Sequence, residues 1–216
     1  MKLYNYFRSS TSFRARIALN LKGLDYDYLP LHLRHGEQRD PGYLARNPQG
    51  LVPSLEVEGP EGPIFITQSL AIVEYLEECH PEPPLLPADP AGRARVRAIA
   101  YAIACDLHPL NNLRVLTRLT RDLGLPQEAQ GEWFRHWVAV EFAALEQRLA
   151  AEAETGRFCH GDQVSLADLC LVPQVVNGRR FDCDMAPYPT IRRIFETCME
   201  IPAFARAAPQ NQPDAE

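Results

Sequence analysis

Tyr6-Phe7-Arg8-Ser9-Ser10-Thr11-Ser12-Phe13-Arg14-Ala15-Arg16-Ile17-Ala18-Leu19 is the stretch on which the reading of the fold turns. An apolar run from Leu3 to Phe7 leads into hydroxyl residues, after which Phe13, Ile17 and Leu21 recur every four positions. That pattern predicts a strand, a hydroxyl-rich turn and a helix. Ser and Thr cap helices because their oxygens accept from unpaired first-turn amides. The same amides carry partial positive charge and favour an anion. A thiol held there ionises near neutral pH. The turn has no Cys, so such a thiol has to come from a bound molecule. Taken alone, the residues are explained as simply by an ordinary cap.

Downstream, Leu29, Leu31 and Leu33 alternate with Tyr28 and His32, which predicts a strand over residues 27–33. With the first strand and helix it makes a βαβ unit with parallel strands. Residues 34–47 are polar, with a short helical suggestion at Tyr43–Arg46. Pro48 and Gly50 mark a turn, and Pro53 precedes a strand over Ser54–Glu58. A cis bond at Val52-Pro53 would turn the Val52 backbone outward for a ligand. Gly59-Pro60-Glu61-Gly62 joins that strand to Ile64-Phe65-Ile66 as a hairpin. A helix then opens with Ser69 as its expected cap, and the order over residues 1–80 is βαβαββα.

Residues 80–91 hold five prolines, which rules out a helix interior and marks a linker. Beyond it strand signals stop, and Val96, Ile99, Ile103 and Leu107 recur at helical spacing, as do Val138, Phe142, Leu145 and Leu149. The pattern continues through Leu166–Val176 and Ile191–Met199. Ser165-Leu166-Ala167-Asp168 has the logic of a capping box and predicts a helix start in the core. The expected organisation is an α/β domain over 1–80, a linker over 81–91 and an all-helical domain over 92–216. The polar tail from Pro209 is expected to be loose.

The length of 216 residues, 46% hydrophobic, allows a substantial core. A net charge of −6 argues against nucleic acid as the main partner. No run approaches the roughly 18 apolar residues of a membrane span. Met1-Lys2-Leu3-Tyr4 enters a strand pattern directly, without a leader, so a cytoplasmic location is expected. The six cysteines form neither a CxxC pair nor zinc-like spacing; they read as reduced core thiols, and no metal is expected.

The order of elements, the proline-rich linker and the helical half together resemble the cytosolic glutathione transferases over nearly the whole chain. Ser9 to Leu19 looks like the signature of their zeta class, usually SSCSWRVRIAL. Asn47-Pro48 to Val52-Pro53, Gln68 to Glu78, Leu85-Leu86-Pro87, Pro109 to Leu113, Ala167 to Val175 and Tyr188-Pro189-Thr190-Ile191 fit the same class. One departure stands out: Thr11 occupies the position of the family's usual Cys. The resemblance implies a thioredoxin-like N-terminal domain, a homodimer and glutathione as cofactor. It implies a maleylacetoacetate isomerase, with close bacterial relatives acting on maleylpyruvate. It assigns Ser9 to the glutathione sulfur, with Ser10 and Thr11 beside it. Val52, ahead of a cis Pro53, would meet the cysteinyl unit, and Gln68 and Ser69 the γ-glutamyl end. Gln38, His108, Asn112, Leu113 and Arg114 match further glutathione contacts. Arg8 and Arg180 would hold carboxylates of a cis-configured dicarboxylic keto acid. Arg14 and Arg16 read as structural.

A double bond does not rotate; reversible addition of a thiolate makes it single for long enough to turn. Such chemistry needs an ionised thiol and fixed cations near the developing charge. A general transferase or dehalogenase of small α-halo acids would use the same thiolate. A non-catalytic binding module on the same scaffold is the reading from another class; the intact hydroxyl turn with Val52-Pro53 and Gln68-Ser69 speaks against it.

Overall fold

Leu3 and Leu55 pair across the middle of a four-stranded sheet, and both are fully buried. The computed structural model describes residues 1–216. Strand β1 (Lys2–Asn5) pairs in parallel with β2 (Asp27–Pro30) and antiparallel with β3 (Ser54–Gly59), which pairs antiparallel with β4 (Gly62–Thr67). The sheet order is β2-β1-β3-β4. Helix α1 (Ser10–Leu21) connects the parallel pair. A short α2 (Pro41–Leu44) precedes β3, and α3 (Ser69–Cys79) follows β4. This is the expected βαβαββα order.

Contacts divide the chain into two units: residues Met1–Leu85 with Met199–Glu216, and residues Leu86–Cys198. The assignment of 199–216 to the helical domain is therefore corrected. Helix α10 (Pro202–Ala207) packs on α1, and Asn20 donates to the Ala203 carbonyl at 3.0 Å. With α3 and α10 both against it, α1 is buried nearly all round, at Phe13, Ala15, Ile17, Ala18 and Leu19. Leu21, expected on the core stripe, is only half-buried. The tail is ordered rather than loose: Asp214 accepts from the Phe7 N–H at 3.1 Å and from the Tyr28 hydroxyl.

Three further expectations change. Strand β2 ends at Pro30 rather than residue 33: β1, its one neighbour, ends at Asn5, whose carbonyl takes the last cross-strand bond from the Leu31 N–H at 2.7 Å. Thereafter the Glu37 carboxylate takes the His32 N–H at 2.6 Å and Gly36 turns the chain at φ 83°. Ser69 is the first residue of α3, not its cap; Gln68 holds that position with no side-chain bond to the helix. Of the cysteines, all free, Cys159, Cys170 and Cys198 are buried, but Cys79 and Cys105 are exposed.

The second unit is helical. Asp89 caps α4 (Pro90–Tyr101) by accepting from the Gly92 N–H at 2.7 Å. The helix continues as a π-helical segment over Ala102–Leu107, then α5 (His108–Leu110). Pro109 cannot donate to the carbonyl four residues back, and His108 N–H bonds to Ile103, five back. Next come α6 (Leu113–Thr117), the long α7 (Gln127–Ala151), α8 (Leu166–Arg180) and α9 (Pro189–Met199). At the head of α8, the fully buried Asp168 carboxylate accepts from the Ser165 N–H, the Ser165 hydroxyl and the Cys159 N–H, each at 2.8 Å. The capping box is as expected. No helix is long and apolar enough to cross a membrane.

Candidate functional site

Ser9 caps α1. Its backbone is extended (φ −69°, ψ 118°), and its Oγ accepts from the Ser12 N–H at 3.2 Å. That oxygen also lies 2.8 Å from Thr11 Oγ1, which donates to the Val52 carbonyl at 3.0 Å. A hydroxyl has one proton, so the order is fixed: Thr11 gives its proton to Val52, and Ser9 gives its proton to Thr11. A rotation of the Ser9 hydroxyl redirects that proton to any stronger acceptor nearby without breaking the cap. The first turn of α1 holds no acidic residue, so its positive end is not neutralised from within the helix.

The Val52-Pro53 bond is cis. The loop that carries it is pinned from below. Tyr43 donates to the Leu51 carbonyl at 2.6 Å and lies 2.8 Å from Ser54 Oγ, and Asn47 Nδ2 donates to the same carbonyl at 2.8 Å. Desolvation of the Tyr43 ring raises its pKa, which keeps it a donor. Gly50, at φ 59°, lets the loop pass close to Gln38: a methyl there would meet the Gln38 carbonyl at 3.0 Å. Gln38 is thereby placed beside this loop. Its Nε2 donates to the Leu33 carbonyl, and its Oε1 is buried with no partner.

The head of α3 forms the third part. Gln68 has φ 68°, an unfavourable conformation for a residue with a side chain, costing about 1–3 kcal/mol. Its exposed side chain donates to Gln49 Oε1 at 3.0 Å. The buried Ser69 hydroxyl accepts from Arg14 Nη1 at 2.8 Å. Because a guanidinium only donates, the Ser69 proton is left free to be given to something else. Arg14 is 2% exposed and its Nε has no partner.

Ser9, Ser10, Thr11, Gln38, Val52, Pro53, Gln68 and Ser69 thus all lie in the first unit, tied together by the Thr11–Val52 and Arg14–Ser69 bonds. Arg8 lies on the same turn, its guanidinium 4.7 Å from the Phe7 ring centroid and bonded to Glu216 at 2.8 Å. His108, Asn112, Leu113 and Arg114 belong to the second unit and form their own group. Asn112 Nδ2 is 3.4 Å from His108 Nε2, its Oδ1 caps α6 through the Arg114 N–H at 3.0 Å, and Leu113 is exposed. Arg180 ends α8, its guanidinium 5.0 Å from the Phe181 ring centroid.

The two helix-α1 arginines part company. Arg16 is fully buried and spends its donors on the Ala207, Tyr6 and Phe7 carbonyls and on Asn5 Oδ1. Burial lowers its pKa to about 10, and its role is structural, as expected, though its partners are carbonyls and not acids. Arg14, also read as structural, stands instead behind Ser69. Gln49, which accepts from Gln68, and Glu216, which meets Arg8, are not singled out by the sequence. Gln49 sits in the quoted Asn47-Pro48-Gln49-Gly50 turn, and its spacing from Gln68 carries no periodic signal.

Residues 1–78 match the family described as glutathione S-transferase, N-terminal domain, and residues 135–202 its C-terminal domain. The chain belongs to the glutathione S-transferase family, and within it to the zeta class. It is 49% identical to a maleylacetoacetate isomerase of Pseudomonas aeruginosa, over 99% of this chain and 98% of that one. A solved maleyl pyruvate isomerase, described as a bacterial zeta-class glutathione S-transferase, is 48% identical with a TM-score of 0.95, each chain covered over 100%. A maleylacetoacetate isomerase from Methylobacterium extorquens AM1, solved with malonate and glutathione, is 49% identical with a TM-score of 0.95, again over 100% of both.

Proposed function

We propose that this protein is a glutathione-dependent cis–trans isomerase that converts maleylacetoacetate to fumarylacetoacetate, in tyrosine and phenylalanine breakdown. The observation that carries the mechanism is the hydroxyl at the head of α1, whose proton is held on a neighbouring hydroxyl and can be turned outward. The residues present suit glutathione. Ser69 has a proton to give a carboxylate, Gln38 and Arg14 keep buried polar atoms without partners, and the cis Val52-Pro53 loop adjoins the α1 cap. When bound, glutathione supplies a thiolate that adds reversibly to the substrate's double bond.

Each residue then has a task. Ser9 donates its hydroxyl proton to the sulfur and, with the amides around Ser10 and Thr11, favours the ionised form. Thr11 steadies both Ser9 and the Val52 carbonyl. The Val52 main chain meets the cysteinyl unit, and Gln68 with Ser69 holds the γ-glutamyl carboxylate at the α3 N-terminus. Gln38, His108, Asn112, Leu113 and Arg114 complete the glutathione contacts. Arg8 holds a substrate carboxylate by charge-assisted hydrogen bonds, and Arg180 is the second arginine for that role.

The three relatives' names divide between two substrates, and the shorter maleylpyruvate is the second reading. A coupled assay with glutathione, comparing kcat/KM for maleylacetoacetate and maleylpyruvate, decides between them. Turnover undiminished after removal of every small thiol would sink both. The reading extends to a homodimer in the cytoplasm; a monomeric mass by light scattering would remove the first part.

A further inference from the structure

The turn between β1 and α1 is gripped by two carboxylates from the C-terminal segment. Asp214 accepts from the Phe7 N–H at 3.1 Å and from the Tyr28 hydroxyl, which seats the segment beside the turn. Two residues on, Glu216 Oε2 lies 2.8 Å from Arg8 Nη2, and its Oε1 lies 2.5 Å from His32 Nε2. The imidazole is oriented for this. The His35 N–H, bonded to the His32 carbonyl at 3.1 Å, also lies 3.3 Å from His32 Nδ1, which leaves Nε2 facing Glu216. The His32 ring stacks on His35 at 3.7 Å and meets the Tyr6 ring edge-on at 5.0 Å. His32 lowers the Glu216 pKa first, with Arg8 adding to it, so the carboxylate is charged.

The two grips differ in exposure. Asp214 joins part-buried groups, whereas the Glu216 side chain is 51% exposed and that of Arg8 23%. A charged carboxylate is thus held against a guanidinium that solvent, and hence a dissolved anion, can reach. A guanidinium binds a carboxylate best when both oxygens face its fork; Glu216 gives one oxygen to Arg8 and the other to His32. That half-engaged pairing is one a bidentate carboxylate can displace.

We infer that Glu216 is a specificity-determining residue: it holds Arg8 Nη2 in the resting protein and competes with a substrate carboxylate for that guanidinium. The inference rests on the role of Arg8 proposed above. It places a built-in competitor on the arginine, so every anionic ligand of Arg8 binds less tightly by one common factor, the fraction of molecules in which Arg8 is free. Ligands without a carboxylate are untouched.

The test compares wild type, Glu216→Ala, Arg8→Met and the double variant. Two readouts serve: malonate affinity by titration calorimetry, and kinetics with maleylacetoacetate and with neutral chlorodinitrobenzene. Glu216→Ala is expected to tighten malonate and lower KM for maleylacetoacetate by roughly two- to fivefold, the range of an exposed ion pair. Its kcat and its rate with chlorodinitrobenzene stay as in wild type, and the tightening disappears in the Arg8→Met background. Unchanged or weaker malonate binding in Glu216→Ala overturns the inference, as does tightening that persists without Arg8. If Arg8→Met alone leaves malonate affinity and KM unaltered, the carboxylate role of Arg8 falls and the inference with it. If Arg8→Met weakens both while Glu216→Ala changes neither, only the inference falls.

Discussion

Two helix heads in this protein use the same residue types to opposite ends. At the start of α8, Asp168 is fully buried and accepts three hydrogen bonds, two from Ser165 and one from Cys159. Burial raises its pKa, and its bonding capacity is turned wholly inward. At the start of α1, Ser9 is half-buried and its cap bond is longer, at 3.2 Å. No acidic residue sits in the first turn, and the Ser9 proton rests on a neighbour that already has a donor role. The first head is closed and contributes stability. The second keeps an uncompensated positive end and a hydroxyl that can change partner, which is what anion chemistry needs.

The comparison can be broken from either side. Asp168→Ala is expected to cost about 3 kcal/mol of folding stability, from a lost cap and buried amides left without acceptors. Urea denaturation measures this, and turnover per folded molecule should not change; a loss below about 1 kcal/mol would mean that the α8 head is not closed in the energetic sense. Ser9→Ala should reverse the balance, with turnover down about 100-fold and stability by only about 1 kcal/mol. Equal turnover in that variant would make the α1 head an ordinary cap after all.

Thr11→Val tests the hydroxyl relay from Ser9 through Thr11 to the Val52 carbonyl. It leaves the Val52 carbonyl without its hydroxyl donor, so glutathione affinity by calorimetry should weaken by roughly five- to tenfold, about 1 kcal/mol. Thr11→Ser should restore it; if it does not, the methyl and not the hydroxyl is what matters. The smallest expected effect concerns the protein's own thiols. Burial pushes the Cys183 thiol up to about 11 and raises Cys159 and Cys198 as well, so these are not nucleophiles near neutral pH. The exposed pair, replaced as Cys79→Ser with Cys105→Ser, should leave kcat/KM within error of wild type, and a marked drop would point to a resident thiol rather than a bound one.

Much of the scaffold was readable because its signals are local. Hydroxyls before a periodic helix, a Gly-Pro turn between paired strands and a capping box each lie within a few residues, and each appears in the structure near its expected place, whereas the alternation expected over residues 27–33 does not extend past Pro30. The errors came where a partner is distant. Ser69 looks like a cap until Arg14 is seen to hold its hydroxyl, 55 positions away. Leu21 looks like core until α10 is seen to cover another side of α1.

From its residues alone, this chain settled the order of strands and helices, the hydroxyl turn, the proline-marked change from mixed to helical structure and its family likeness, since periodicity and turn chemistry act over single turns and strands. Tertiary structure alone decided which buried arginine is structural and which backs Ser69. It also decided that the last residues belong with the first strand and that Glu216 meets Arg8. Those contacts span as many as 208 positions, and an interaction closed by folding leaves no trace in the spacing of neighbouring residues.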